Sequence, residues 1–131
     1  MKYLLDTQVW LWMQAQPERL GRHALTLIAD ERNRLILSAA SSWEIAIKFR
    51  LGKLHLPEPP DQYVPDRMLA AGVDGLPVEH SHALLVSRLD DHHRDPFDRI
   101  LVSQAILERL PVISADPALA VYEVEFIDAT R

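Results

Sequence analysis

Short apolar runs alternate with amphipathic ones along this chain, and the alternation predicts strands and helices in turn. Lys2 to Leu5 is an apolar run that ends at Asp6, the pattern of a buried strand. Thr7 to Gln14, with Trp10, Leu11 and Trp12, reads as a helix, and Pro17 to Gly21 as a connection. Arg22 to Glu31 carries Ala24, Leu27 and Ile28 at helical spacing. Leu35-Ile36-Leu37 predicts a second strand. A helix follows from about Ser42 to Leu51, with Gly52 as its terminating glycine. The proline-rich stretch His55 to Pro60 is loop. Gln62 to Ala71 reads as a helix closed by Gly72, Val73 to Val78 as a weak strand, and His80 to Arg88 as a short helix. After a polar loop, Pro96 to Leu110 is apolar nearly all round in its interior, which predicts a buried helix. Pro111 to Ser114 and Val124 to Ile127 supply the last strands.

Strands that alternate with helices predict an α/β fold, a mainly parallel sheet with helices on both faces. Ligands of such sheets bind at the carboxyl ends of the strands, where the strand order reverses. Asp6 falls at that end of the first strand, and Asp116 two residues after Ser114. The 131 residues are expected to form a single domain, 1–131, with no repeats and no interdomain linker. At this length folding buries about two-thirds of the unfolded chain's surface, enough for a core without staples.

Composition narrows the chemistry. The chain has no cysteine, so disulfides and thiolate metal sites are excluded, and a reducing cytoplasm suits it. Its net charge of −5 gives no broad attraction to nucleic acid, so any such binding needs a local basic patch. No apolar run is long enough to span a membrane. Asp6 interrupts the apolar start, which is therefore read as mature structure rather than a signal peptide. Gly-rich phosphate loops, GxSxG elbows and HExxH motifs are all lacking.

Four acids remain as the candidate chemistry: Asp6, Glu44, Asp98 and Asp116. Each has a structural alternative. Ser41-Ser42-Trp43-Glu44 has the form of a capping box, with Ser41 as the cap. Asp95-Pro96-Phe97-Asp98 repeats the logic, with Asp95 as cap and Pro96 at the favoured first position. Asp116-Pro117 is a further cap, and Asp6 can cap the first helix. Capping needs no inward aim, however. Asp98 shares a helical face with Val102 and Ala105, and Glu44 with Ile47 and Leu51. Carboxylates aimed inward repel one another, and a divalent cation resolves that repulsion. Oxygen donors without cysteine favour Mg²⁺ or Mn²⁺, which activate water for phosphodiester cleavage.

Other side chains carry two readings each. Lys48, four residues after Glu44, is either an intrahelical ion pair or a cation beside the scissile phosphate. Arg94 and Arg99 flank the Asp95–Asp98 segment as phosphate contacts or as solvated surface. Adjacent His92 and His93 lack a matching ligand pair, which argues against zinc. Trp10, Trp12 and Trp43 are assigned to core packing rather than base stacking.

Taken together, four stretches resemble the PIN-domain proteins, and within them the VapC-type toxins of toxin–antitoxin pairs. They are Asp6-Thr7 after an apolar strand, Ser41 to Lys48 followed by Gly52-Lys53-Leu54, His93 to Leu101, and Ser114-Ala115-Asp116. The resemblance runs from end to end of the chain. It implies a three-layer α/β/α sandwich around a mainly parallel sheet of four to five strands. It also implies Mg²⁺- or Mn²⁺-dependent endoribonuclease activity that leaves a 5′-phosphate and a 3′-hydroxyl, a homodimer, and neutralisation by a VapB-type antitoxin. By position, Asp6, Glu44, Asp98 and Asp116 are the catalytic and metal-binding acids. Asp98 fits the third place better than Asp95, because Val102, Ser103 and Ala105 follow it as the pattern asks. Asp95 is left as a helix cap or outer-shell ligand, and Ser114 is assigned to hold a metal-bound water. The acidic balance departs from easy RNA binding. A patch of Lys48, Arg50, Lys53, Arg94 and Arg99, or a second subunit, has to meet the RNA.

Two rivals belong to other classes. One is a PIN-like binding module for RNA or a protein partner that has lost turnover. The other is a phosphoryl-receiver domain, which needs paired acids directly after the first strand, whereas Gln8 follows Asp6-Thr7 here.

Overall fold

The computed structural model describes residues 1–91 and 95–131. Its centre is one five-stranded sheet in the order β3-β2-β1-β4-β5. The strands are β1 (Lys2–Leu5), β2 (Arg34–Ser38), β3 (Asp74–Leu76), β4 (Val112–Ser114) and β5 (Phe126–Asp128). Every pairing is parallel, with Leu4 opposite Ile36 on one side and Val112 on the other. The helices among the described residues are α1 (Thr7–Ala15), α2 (Arg22–Ala29), α3 (Ala39–Arg50), α4 (Pro60–Ala71), α5 (His80–Leu85) and α6 (Pro96–Glu108). None is long and apolar enough to cross a membrane.

The strands are apolar because both faces of the sheet are covered. Their two-residue period sorts the side chains into two cores. Tyr3, Leu5, Leu35, Leu37 and Ile113 pack with Val9 and Trp10 of α1, Ile45 of α3, and Tyr63 and Val64 of α4. Leu4, Ile36 and Val112 point the other way and pack with Leu101, Val102 and Ala105 of α6. The result is the three-layer α/β/α sandwich, with its sheet wholly parallel.

Element ends follow local chemistry. Gly72 stops α4 in the left-handed conformation, at φ 67°, a region that favours glycine. Gly21 is required for another reason: a Cβ there would meet the backbone of Arg131 at 2.2 Å. The largest departure from expectation is at α3, which begins at Ala39 instead of Ser42. Ser38, the last residue of β2, is its cap, and its side chain accepts from the Ala40 N–H at 3.0 Å. The hydroxyl needed for capping lies directly at the strand end, so the helix starts without a connecting loop.

Candidate active site

The strand order reverses between β1 and β4, and a cavity of about 520 Å³ opens at that point. All four candidate acids line it, together with Asp95, Lys48 and Lys53. Asp6 arrives from the end of β1, Glu44 from α3, Asp95 and Asp98 from the start of α6, and Asp116 from the turn after β4. Leu11, Trp12 and Leu54 form its apolar wall.

The capping alternatives can now be decided residue by residue. Asp6 stands at the cap position of α1 but makes no side-chain cap bond. Instead its Oδ2 accepts from the Ser114 hydroxyl at 2.6 Å. With Ser38 as the true cap, Glu44 is the sixth residue of α3, and the capping box expected at Ser41 does not exist. Ser41 is buried and its Oγ accepts from the Thr7 hydroxyl at 2.8 Å, tying α1 to α3. Asp95 is a cap in fact: its Oδ1 accepts from the Phe97 and Asp98 amides. Asp116 also caps, accepting from the Ala118 amide at 2.9 Å, while its carboxylate still lines the cavity. The most buried of these acids, Asp6 and Glu44, are therefore not helix caps.

Burial is the main force raising the Asp6 pKa above its ordinary value, and the Glu44 and Asp116 charges add to it. The Ser114 hydrogen bond and the Thr7 amide oppose the rise. Ser114 is fully buried, and its Oγ also accepts from the Asp116 amide at 3.0 Å. It therefore fixes Asp6 against the Asp116 turn. Glu44 pairs through Oε2 with Lys48 Nζ, while its Oε1 is buried with no hydrogen-bond partner among the described residues. The Lys48 pKa is raised, first by the Glu44 hydrogen bond and then by the Glu44, Asp95 and Asp98 charges. The ion-pair reading of Lys48 thus holds, and the same side chain faces the cavity.

Several assignments change. Arg99 does not face the cavity; its guanidinium donates to the Val86, Leu89 and Asp90 carbonyls and holds that segment against α6. Leu51 is exposed, so the inward face of α3 is Ala40, Ser41, Glu44 and Ile45. Trp10 is core, as expected, but Trp43 is 57% exposed and packs edge-on against Phe97 at 5.1 Å. Arg50 is exposed and does not line the cavity. Arg94, His92 and His93 lie outside the described residues. The apolar wall of Leu11, Trp12 and Leu54 has no signature in the sequence, where periodicity marks these residues only as helix or loop apolar positions.

The donor set fits a hard divalent cation in character: carboxylates only, one buried oxygen without a partner, and mutual repulsion at Asp6. Among the described residues no three His, Asp or Glu side chains are gathered closely enough to hold one ion.

The comparisons agree with this architecture. A family model described as PIN domain matches residues 3–125. Ribonuclease VapC16 of Mycobacterium tuberculosis is 57% identical over 56 residues, which cover 43% of this chain. The match spans 40% of that relative's length. Among solved structures, VapBC2 from Rickettsia felis bound to a DNA fragment from its promoter superimposes with a TM-score of 0.72. The two chains are 12% identical, and 98% of each is covered. VapBC-1 from nontypeable Haemophilus influenzae gives a TM-score of 0.66 at 17% identity, with 100% of each chain covered. At these identities the structural matches speak for the fold.

Proposed function

The chain belongs to the PIN-domain family, and from that premise we propose that it is a metal-dependent endoribonuclease, the toxin of a toxin–antitoxin pair. The observation that carries this reading is the convergence of Asp6, Glu44, Asp98 and Asp116 on one cavity from four separate segments of the chain. The name of the Mycobacterium tuberculosis relative, a ribonuclease, supports the choice of substrate. The names of the structural neighbours, VapB–VapC pairs, support a VapB-type antitoxin as partner. The reading carries with it a homodimer and a cytoplasmic setting.

Asp6, Glu44, Asp98 and Asp116 would hold one or two Mg²⁺ or Mn²⁺ ions. Bound there, a divalent cation supplies Lewis acidity toward the phosphate and lowers the pKa of water. The remaining work belongs to the chain itself. Ser114 holds the Asp6 carboxylate in place through its hydroxyl. Asp95 and Asp116 fix the first turns after them, and so fix where Asp98 and Asp116 stand. Lys48 and Lys53 face the same cavity and offset the repulsion between the acids and an incoming phosphate. Water adds across the P–O3′ bond: the oxygen goes to phosphorus, the proton to the leaving 3′-oxygen, and the products are a 5′-phosphate and a 3′-hydroxyl.

The test is purified chain, free of antitoxin, incubated with total RNA and Mn²⁺. Cleavage that a chelator abolishes supports the reading. Inertness toward diverse RNAs with Mn²⁺ would replace it with the PIN-fold binding module.

A further inference from the structure

Glu44 and Lys48 have the spacing of an ordinary surface pair on a helix, but not its surroundings. The Glu44 side chain is only 8% exposed, against 48% for Lys48. Its second oxygen is buried without a hydrogen-bond partner. Burying a carboxylate in this way is unfavourable unless a cation stays with it. Lys48 is that cation, and it reaches Glu44 from the open side of the cavity that Asp6, Asp95, Asp98 and Asp116 also line. Lys53 lines the same cavity. Among the described residues, two lysines thus face five carboxylates, and Lys48 is the one paired with a buried acid.

We propose that Lys48 is the site's resident cation: it neutralises Glu44 while the cavity holds no metal, and gives up that carboxylate when a divalent ion enters. Loading the site is then an exchange of cations. The exchange keeps the buried acid from ever being left bare, and it frees an ammonium group at the cavity mouth, where a substrate phosphate enters. Lys48 is a positioning residue in this scheme, acting through Glu44. The inference rests on the reading of the cavity as a divalent-cation site.

The experiment uses the full chain and metal alone. Mn²⁺ is titrated into wild type, Lys48→Met and Lys48→Arg, with free Mn²⁺ followed by electron paramagnetic resonance. Mg²⁺ is titrated into wild type while the Lys48 Cε resonance is followed by NMR. Removing the competing ammonium is expected to tighten Mn²⁺ binding about fivefold in Lys48→Met, the scale of a partly solvated ion pair. Lys48→Arg keeps the charge and is expected to stay near wild type. Saturating Mg²⁺ is expected to move and narrow the Lys48 resonance as the side chain leaves Glu44. Unchanged or weaker Mn²⁺ binding in Lys48→Met, or a Lys48 resonance indifferent to saturating Mg²⁺, overturns the exchange. Failure of wild type to bind either ion is a different result, because it removes the cation site itself.

Discussion

Two sets of carboxylates in this molecule are treated in opposite ways. At the periphery, Asp74 of β3 is gripped by both arms of the Arg34 guanidinium, at 3.0 and 2.7 Å. Asp30 is held the same way by Arg32, which pushes its pKa down to about 2. In the cavity, buried Asp6 receives a neutral serine hydroxyl and has its pKa raised. Glu44 receives one lysine on one of its two oxygens. Outer acids are matched to arginines in fixed bidentate pairs, which stay charged under all ordinary conditions. Among the described residues, buried Asp6 and Glu44 are left short of positive charge at the one place where the sheet's strand order reverses. Fold stability does not call for that shortage, whereas a site that must admit a cation does.

The sharpest way to break this contrast is to remove a cavity acid without altering its shape. Asp98→Asn is expected to keep the helical circular-dichroism signal and melting temperature. Asp95, not Asp98, provides the cap bonds at the start of α6. RNA cleavage is expected to fall on the order of a thousandfold, as when one charge-stabilising group is deleted from a preorganised site. Full cleavage by Asp98→Asn would take that residue out of the site and leave the acids a coincidence of helix starts.

Much of this arrangement was legible in the sequence. Strand and helix order and the parallel sheet follow from apolar runs, and the places of Asp6 and Asp116 from the strand ends just before them, since burial on both sheet faces leaves a strong local signature. What was hidden depended on partners distant in sequence. Ser41-Ser42-Trp43-Glu44 satisfies the rule for a capping box, yet Ser38 starts the helix earlier, because the strand and helix abut with no loop between them. The Ser114 bond to Asp6 spans 108 residues, and no local pattern encodes it. Arg99 looked like a phosphate contact, but the loop carbonyls of Val86, Leu89 and Asp90 capture it. Trp43 is apolar by type and exposed by position, since α3 turns Glu44 inward and thereby turns its neighbour out.

A smaller effect follows from the raised pKa of Asp6. In the metal-free protein the unfolded chain releases this proton near the ordinary value of 3.8, while the folded chain keeps it to higher pH. The Asp6 contribution to stability is therefore greatest in acid, and it is lost as pH rises from that value through the folded pKa. Cation binding has the opposite slope, because it needs the carboxylate. Mn²⁺ affinity measured at falling pH is expected to weaken while still above the ordinary aspartate range. Ser114→Ala removes the hydrogen bond that opposes the rise, so its loss of affinity should begin at higher pH than in wild type. Coincident pH profiles for the two proteins would mean that Ser114 does not govern the charge on Asp6.

The smallest effect should come from the other side of the contrast. Arg34 holds the Asp74 pKa below its usual range, so the pair favours folding above that range and the benefit disappears as pH falls through it. Both side chains are about half exposed, however, and such pairs are screened by water and salt. Asp74→Asn is therefore expected to shift the melting temperature by at most about 2 °C. Mn²⁺ affinity and RNA cleavage should match wild type, since Asp74 does not line the cavity. A fall in Mn²⁺ affinity comparable to that of a cavity acid would mean that the edge pairing of β2 with β3 is coupled to the site, and that inner and outer carboxylates do not form two separate populations.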